Sequence, residues 1–207
     1  MSEPYILEAT GLSKQFRGFY AVKDVKLSVR RHTIHALIGP NGAGKTTCFN
    51  LLTTFLTPTA GTILFNGKDI SKSDPATVAS MGLVRSFQIS AVFGQMTVLE
   101  NVRVALQRKA GMTWAFWRKD ASLKVLNARA MELIDMVGLT KWADTPAVSL
   151  SYGRKRVLEL ATTIALEPEM ILLDEPMAGL GHEDIGPVME IIRSVAIPTP
   201  IDPSSST

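Results

Sequence analysis

Apolar and polar positions alternate along Tyr5-Ile6-Leu7-Glu8-Ala9 and again along Asp24-Val25-Lys26-Leu27-Ser28-Val29, the period of half-buried strands. Thr33-Ile34-His35-Ala36-Leu37-Ile38 is more evenly apolar and predicts a buried strand, followed by a helix from Thr46 to Phe55. Thr62-Ile63-Leu64-Phe65 predicts a strand, and Asn66-Gly67 a tight turn. Asp74-Pro75 is a helix start, with Asp74 as cap and the proline in the first helical position; that helix ends near Gly82. Leu83 to Phe87 is a strand leading to Gln88, and beyond it the pattern becomes helical. Thr97-Val98-Leu99-Glu100 is a capping box, with helical periodicity to about Lys109. Asp120 caps a second helix with apolar positions at Leu123, Leu126, Ala130, Leu133, Ile134 and Val137, closed by Gly138. Ser149-Leu150-Ser151-Tyr152-Gly153 opens another helix running to Leu166, and Met170-Ile171-Leu172-Leu173 is a buried strand ending in Asp174-Glu175-Pro176. The layout is an α/β core over residues 1–87 and 151–194, an inserted helical subdomain over 88–150, and an irregular Pro- and Ser-rich tail over 195–207.

The chemistry concentrates between strand and helix. Gly39-Pro40-Asn41-Gly42-Ala43-Gly44-Lys45-Thr46-Thr47 fits G-x-x-x-x-G-K-[ST], the phosphate-binding loop. Glycines at 39, 42 and 44 let the backbone curl so that N–H groups point inward, and the positive end of the helix dipole adds to them. Lys45 is placed to reach β- and γ-phosphates and the Thr46 hydroxyl to hold Mg²⁺. Downstream, an apolar strand ending in acid matches the second Mg²⁺-organising element of such nucleotidases: Asp174 acts on Mg²⁺ directly or through water, and Glu175 polarises an attacking water. Ser151 and Gly153 stand at another helix N-terminus, either a second anion-binding end or a plain serine cap. Phe16, Phe19 and Tyr20 lie upstream of the loop, where an aromatic either stacks on a base or packs on the sheet. Gln88 is a lone polar residue at a strand end, and by itself that position marks only polar surface.

Composition narrows the picture only a little. The chain has 207 residues, is 46% hydrophobic and carries a net charge of +3, enough for a real core and only weakly basic. No basic stripe asks for nucleic acid. A lone Cys48 excludes an internal disulfide and suits a reducing cytoplasm; it reads as a small packed side chain. The start shows no signal-peptide pattern, and no apolar run reaches membrane-spanning length, so any membrane role is expected through a partner.

The order of these elements, from about Tyr5 to Ser194, resembles an ABC-transporter ATP-binding subunit. The fold implied is a P-loop NTPase core of the ABC ATPase type, with an antiparallel β subdomain and an inserted helical subdomain. The markers are the phosphate loop, Gln88 in Arg-Ser-Phe-Gln, the signature Leu150-Ser151-Tyr152-Gly153, and Ile171 to Pro176. The stretches Leu83–Gln88 and Val92–Val102, with Tyr152 in the signature, are similar to the branched-chain amino acid group of importers. The resemblance implies that Phe16 stacks on adenine, and that Gln88 touches Mg²⁺ or the lytic water. It also implies that Ser151 and Gly153 contact the γ-phosphate held by an opposite subunit. ATP and Mg²⁺ are the implied ligands. The implied partners are transmembrane permease subunits and a second ATP-binding subunit, identical or not, arranged head-to-tail, with the chain cytoplasmic and peripheral on the inner face of the cell membrane. Trp114, Phe116 and Trp117, beside Arg118 and Lys119, are expected either to form the core of the helical subdomain or to face the membrane subunit.

Two departures qualify this. Gly181 stands where many relatives carry Asp, and none of His32, His35 and His182 occupies the place of the family's γ-phosphate histidine, so the chain reads as truncated or frameshifted after about Ser194. The leading expectation is an ATP-hydrolysing motor subunit of an importer for branched-chain or similar amino acids. The alternatives are a nucleotide-binding module with little hydrolysis and a soluble, non-transport ABC ATPase.

Overall fold

The computed structural model describes residues 5–86, 92–109 and 120–197, with the side chains of 109 and 120–124 excepted. Gln88 and the cluster of Trp114, Phe116 and Trp117 lie outside the described residues.

Strands β1 (Tyr5–Phe16) and β2 (Phe19–Arg30) form a long antiparallel hairpin, extending both predicted strands. Its tip is Arg17-Gly18, both at positive φ (46° and 90°), the turn whose twist suits a hairpin. β3 (Ala60–Phe65) pairs with the other edge of β1, and Asn66-Gly67, at φ of 51° and 71°, folds β4 (Lys68–Asp69) back onto it. The resulting antiparallel sheet has the order β2-β1-β3-β4. Helix α1 (Lys45–Leu52) buries Cys48, Leu51 and Leu52 in one cluster with Leu7, Leu12, Ile63 and Phe65 of this sheet.

Helix α2 (Pro75–Ser80) begins as its sequence dictates, with Asp74 Oδ2 accepting from the N–H groups of Ala76 and Thr77. It leads into β5 (Leu83–Ser86), which pairs in parallel with β6 (Met170–Leu173) in the register Leu83↔Met170 to Ser86↔Leu173. Leu83 and Leu172 join the cluster around α1, so α1 has β-structure on both flanks.

Helices α3 (Val98–Lys109), α4 (Asp120–Met136) and α5 (Tyr152–Ile164) build a second core. Val98, Val102, Leu133, Ile134, Leu158 and Ala161 are buried there. Helical spacing puts Leu133, Ile134 and Val137 on one face of α4 and its extension, and Gly138 at φ 72° closes that segment. The capping box is formed: Thr97 N–H donates to Glu100 Oε2 at 2.8 Å, and Glu100 N–H to Thr97 Oγ1 at 3.2 Å. The last helix, α6 (His182–Ala196), contributes Val188 and Ile191 to this core and continues through Val195 and Ala196, two residues into the expected tail.

One strand expectation is overturned. Thr33 to Ile38 is not a strand, every one of its residues is exposed, and Ile38 is 91% exposed. The reason is a missing edge: among the described residues the run forms no ladder with the four-stranded sheet or the β5–β6 pair, and only the Thr33 hydroxyl reaches back to the Arg30 carbonyl at the end of β2. An apolar run without a ladder leaves its backbone groups to water, and β-propensity alone does not hold it extended.

Candidate active site

The loop from Gly39 to Thr47 closes locally. Ala43 N–H donates to Pro40 O at 3.2 Å, and Gly42 and Gly44 take φ values of 81° and 84°, which a side chain rarely adopts. Gly44 caps α1, and a Cβ there would lie 2.3 Å from the Ala21 carbonyl oxygen of β2. Glycine therefore does two jobs at 44: it turns the chain and lets the loop press on the hairpin. The first turn of α1 holds no acid, so nothing negative competes with an anion at its N-terminus. Lys45 Nζ donates to the carbonyls of Gly39 at 2.6 Å and Pro40 at 2.9 Å, pinning the loop from inside. Asn41, Gly42, Ala43 and Thr46 are exposed, while Gly44, Lys45 and Thr47 are half-buried. Cys48 is buried one turn on, and burial raises its thiol above the ordinary range, which fits a packing role.

The contact at Gly44 places the β1–β2 hairpin beside the loop. Phe16 sits at the hairpin tip opposite Phe19, 44% exposed, with Lys14 Nζ 5.3 Å from its ring centroid. Phe19 is more exposed still, and Tyr20 matches Phe16 in exposure.

Asp174 follows β6 directly. Arg85 Nη2 donates to Asp174 Oδ2 at 2.6 Å, with both side chains 9% exposed. Arg85 Nη1 also donates to Asn50 Oδ1 on α1, and the guanidinium stands 5.7 Å from the Phe49 ring centroid. The helix that leaves the phosphate loop is thus tied, through one arginine, to the acid at the end of β6. Glu175 is exposed and takes φ 48°, an uncommon conformation for a non-glycine residue, held by Ala178 N–H donating to its carbonyl at 3.0 Å.

Ser151 caps α5 through Arg154 N–H at 3.4 Å. Gly153 is buried against α6: a Cβ there would lie 2.1 Å from Asp184 Oδ2. The Tyr152 hydroxyl donates to Ala178 O at 3.3 Å and its ring lies over Gly179, joining the start of α5 to the loop after β6. The structure therefore links Asp174 through Arg85 to Asn50 on the helix that carries Lys45–Thr47, and brings Ser151–Gly153 together with the 178–184 segment.

Sequence reading overlooked Arg85 and Asn101. Arg85 is a cation in a strand that opens with Leu83-Val84 and has its side chain 9% exposed, and a largely buried arginine needs a partner. Asn101, buried on α3, accepts from Phe93 N–H and donates to the carbonyls of Phe93, Met96 and Thr97, fixing the segment that enters α3.

Comparison with known proteins agrees with this geometry. A family model described as ABC transporter matches residues 22–178. The high-affinity branched-chain amino acid transport ATP-binding protein LivG of Salmonella typhimurium is 42% identical over 203 residues, covering 94% of this chain and 78% of that protein. BraF of Pseudomonas aeruginosa, with the same descriptive name, is 39% identical over 200 residues at the same coverage. The crystal structure of the ADP conformation of an ATP-binding cassette of an ABC transporter superposes with a TM-score of 0.78 at 28% identity, covering 93% of this chain and 77% of that one. The fold is that of an ATP-binding cassette, and the chain belongs to the ABC transporter family.

Proposed function

We propose that this chain is the ATP-hydrolysing motor subunit of an importer for branched-chain or similar amino acids. The observation that carries the proposal is the Asn50–Arg85–Asp174 connection, which holds the acidic strand end against the helix of the phosphate loop. Likeness to the branched-chain transport proteins supports the substrate group. The partners proposed are transmembrane permease subunits and a second ATP-binding subunit facing this one head-to-tail, with the chain on the inner face of the membrane.

In this reading the backbone N–H groups of Gly42 to Thr46 and the N-terminus of α1 bind the phosphates, with Lys45 turning from its loop carbonyls toward the β- and γ-phosphates. Phe16 supports the adenine. Thr46 Oγ1 and the Asp174 carboxylate are hard oxygen donors of the kind Mg²⁺ prefers and would hold it, Asp174 directly or through water. Bound Mg²⁺ supplies neutralisation of the phosphate charge. Glu175 accepts a proton from the attacking water, and Gln88 orients that water. Ser151 and Gly153 serve the nucleotide of the opposite subunit.

A second reading is binding with slow hydrolysis by the chain alone. It is favoured by the exposed Thr33–Ile38 run, which leads into the loop without forming a strand. Steady-state phosphate release, with and without permease subunits, separates the two. The motor reading expects turnover that Glu175→Gln lowers at least about a hundredfold, the scale of losing one transition-state group. Turnover unaffected by Glu175→Gln overturns the assignment of the base.

A further inference from the structure

We infer that Arg85 is a positioning residue for Asp174 and competes for its carboxylate with the divalent cation. The inference rests on the proposal that Asp174 organises that cation.

Four observations converge. Arg85 and Leu172 are register partners across a parallel pair, so their side chains share a face, and Asp174, the residue after β6, meets Arg85. That face is covered by α1, which supplies Asn50 and the Phe49 ring to the guanidinium. The ion pair is short, at 2.6 Å, and almost closed to solvent. Finally, the fork of Arg85 is divided, one terminal nitrogen on Asn50 and the other on Asp174 Oδ2. Lysine, with a single ammonium, cannot reproduce that division.

The consequence is electrostatic and geometric together. The fork fixes the carboxylate rotamer through Oδ2. A full positive charge in contact with that oxygen also opposes a second cation on the same group, and does so strongly because water is largely excluded. Cation binding at Asp174 therefore proceeds against Arg85. The same arginine holds α1, so that competition is felt at the helix leaving the phosphate loop.

The test measures Mn²⁺ affinity of the full chain with ADP bound, by the electron paramagnetic resonance of free Mn²⁺, alongside ADP affinity without metal. Arg85→Gln removes the charge and keeps a hydrogen-bond donor. It is expected to bind Mn²⁺ about tenfold more tightly than the parent, a change of about 1.4 kcal/mol. A general loosening of the site lowers both affinities instead, and Mn²⁺ binding equal to or weaker than the parent's overturns the inference. Should Arg85→Gln fail to fold, the parent itself decides. Its Arg85 Nη resonances, identified by their loss in Arg85→Lys, are expected to shift when Mg²⁺ is added to the ADP-bound chain. Unmoved resonances overturn the inference. Asp174→Asn in the parent isolates the premise: if it leaves Mn²⁺ affinity unchanged, the assignment of Asp174 to the cation fails, whatever Arg85 does.

Discussion

Met170-Ile171-Leu172-Leu173 and Thr33-Ile34-His35-Ala36-Leu37-Ile38 are the same kind of sequence, short apolar runs rich in β-branched residues and leucine that each lead into a chemical loop. Only the first is a strand. β6 is bonded along its length to β5, and Leu172 is 5% exposed against the buried face of α1. The second run ends in an isoleucine open to solvent and pairs with nothing among the described residues. The chain on either side of it is nevertheless tied to the two ends of β6. Arg31, just before the run, pairs with Glu169 at 3.2 Å, just before β6; beyond the run, α1 reaches Asp174 through Arg85. The difference teaches that a parallel strand is a property of a ladder. Its own residues supply affinity for a neighbour, and the neighbour supplies the structure.

The comparison is sharpest in stability. Leu172→Ala should cost about 2–5 kcal/mol, the range for a leucine removed from a packed core. Leu37→Ala, at a 43% exposed position, should stay within about 0.5 kcal/mol. Urea unfolding of the two variants checks both values. A large loss at Leu37 would show that the run is buried in solution, and the contrast between the two runs would collapse.

The same distinction explains what could be read from the sequence. Features that close within a few residues were legible: the Thr97–Glu100 box, the Asp74 cap with Pro75, the Asn66-Gly67 turn, and the glycines of the phosphate loop. Their information is local, and so is their hydrogen bonding. Features that need distant partners were not legible. Arg85 takes its role from Asn50 and Asp174, 35 and 89 positions away, and no local pattern encodes that. Thr33–Ile38 was misread for the complementary reason, since its pattern is that of a strand and no ladder partner stands beside it among the described residues. The β1–β2 hairpin stands between the two cases. Its alternation is local, but the bulged register beyond Ala9, at Gly11, carries both strands past the clear alternating runs.

A smaller effect asks whether the phosphate loop works without the strand before it. The loop's own bonds, Ala43 to Pro40 and Cys48 to Gly44, involve nothing from Thr33–Ile38. Nucleotide binding should therefore survive, with Lys45→Ala lowering ATP affinity by about 1.5–3 kcal/mol, roughly 10- to 150-fold, as one charge-assisted contact is lost. Titration calorimetry of parent and variant decides. Parent and variant with equal affinity would mean that the ammonium stays on Gly39 and Pro40 and that the loop depends on a sheet after all.

The smallest effect concerns the most local structure, and it probes the comparison from the other side. Thr97 and Glu100 satisfy each other's backbone N–H groups, while those of Val98 and Leu99 between them donate to the carbonyls of Thr145 and Ala143. Thr97→Ala should cost about 1 kcal/mol, the usual loss of an N-cap. The backbone N–H of Thr97, then its side chain, then the charge of Arg103, hold the Glu100 carboxyl below its ordinary range. A carboxyl lowered in the folded state stabilises above its unfolded value, and that stabilisation is lost as pH falls through the folded one. Glu100→Gln keeps an acceptor but cannot titrate. The parent should therefore be the more stable chain at neutral pH, and its advantage should shrink below about pH 4, where an ordinary carboxylate protonates. Unfolding curves of the two chains across that range carry the test. An advantage that does not change with pH would show that the box acts through shape alone, and that even this local signal draws on packing around α3 rather than on the carboxylate at its start.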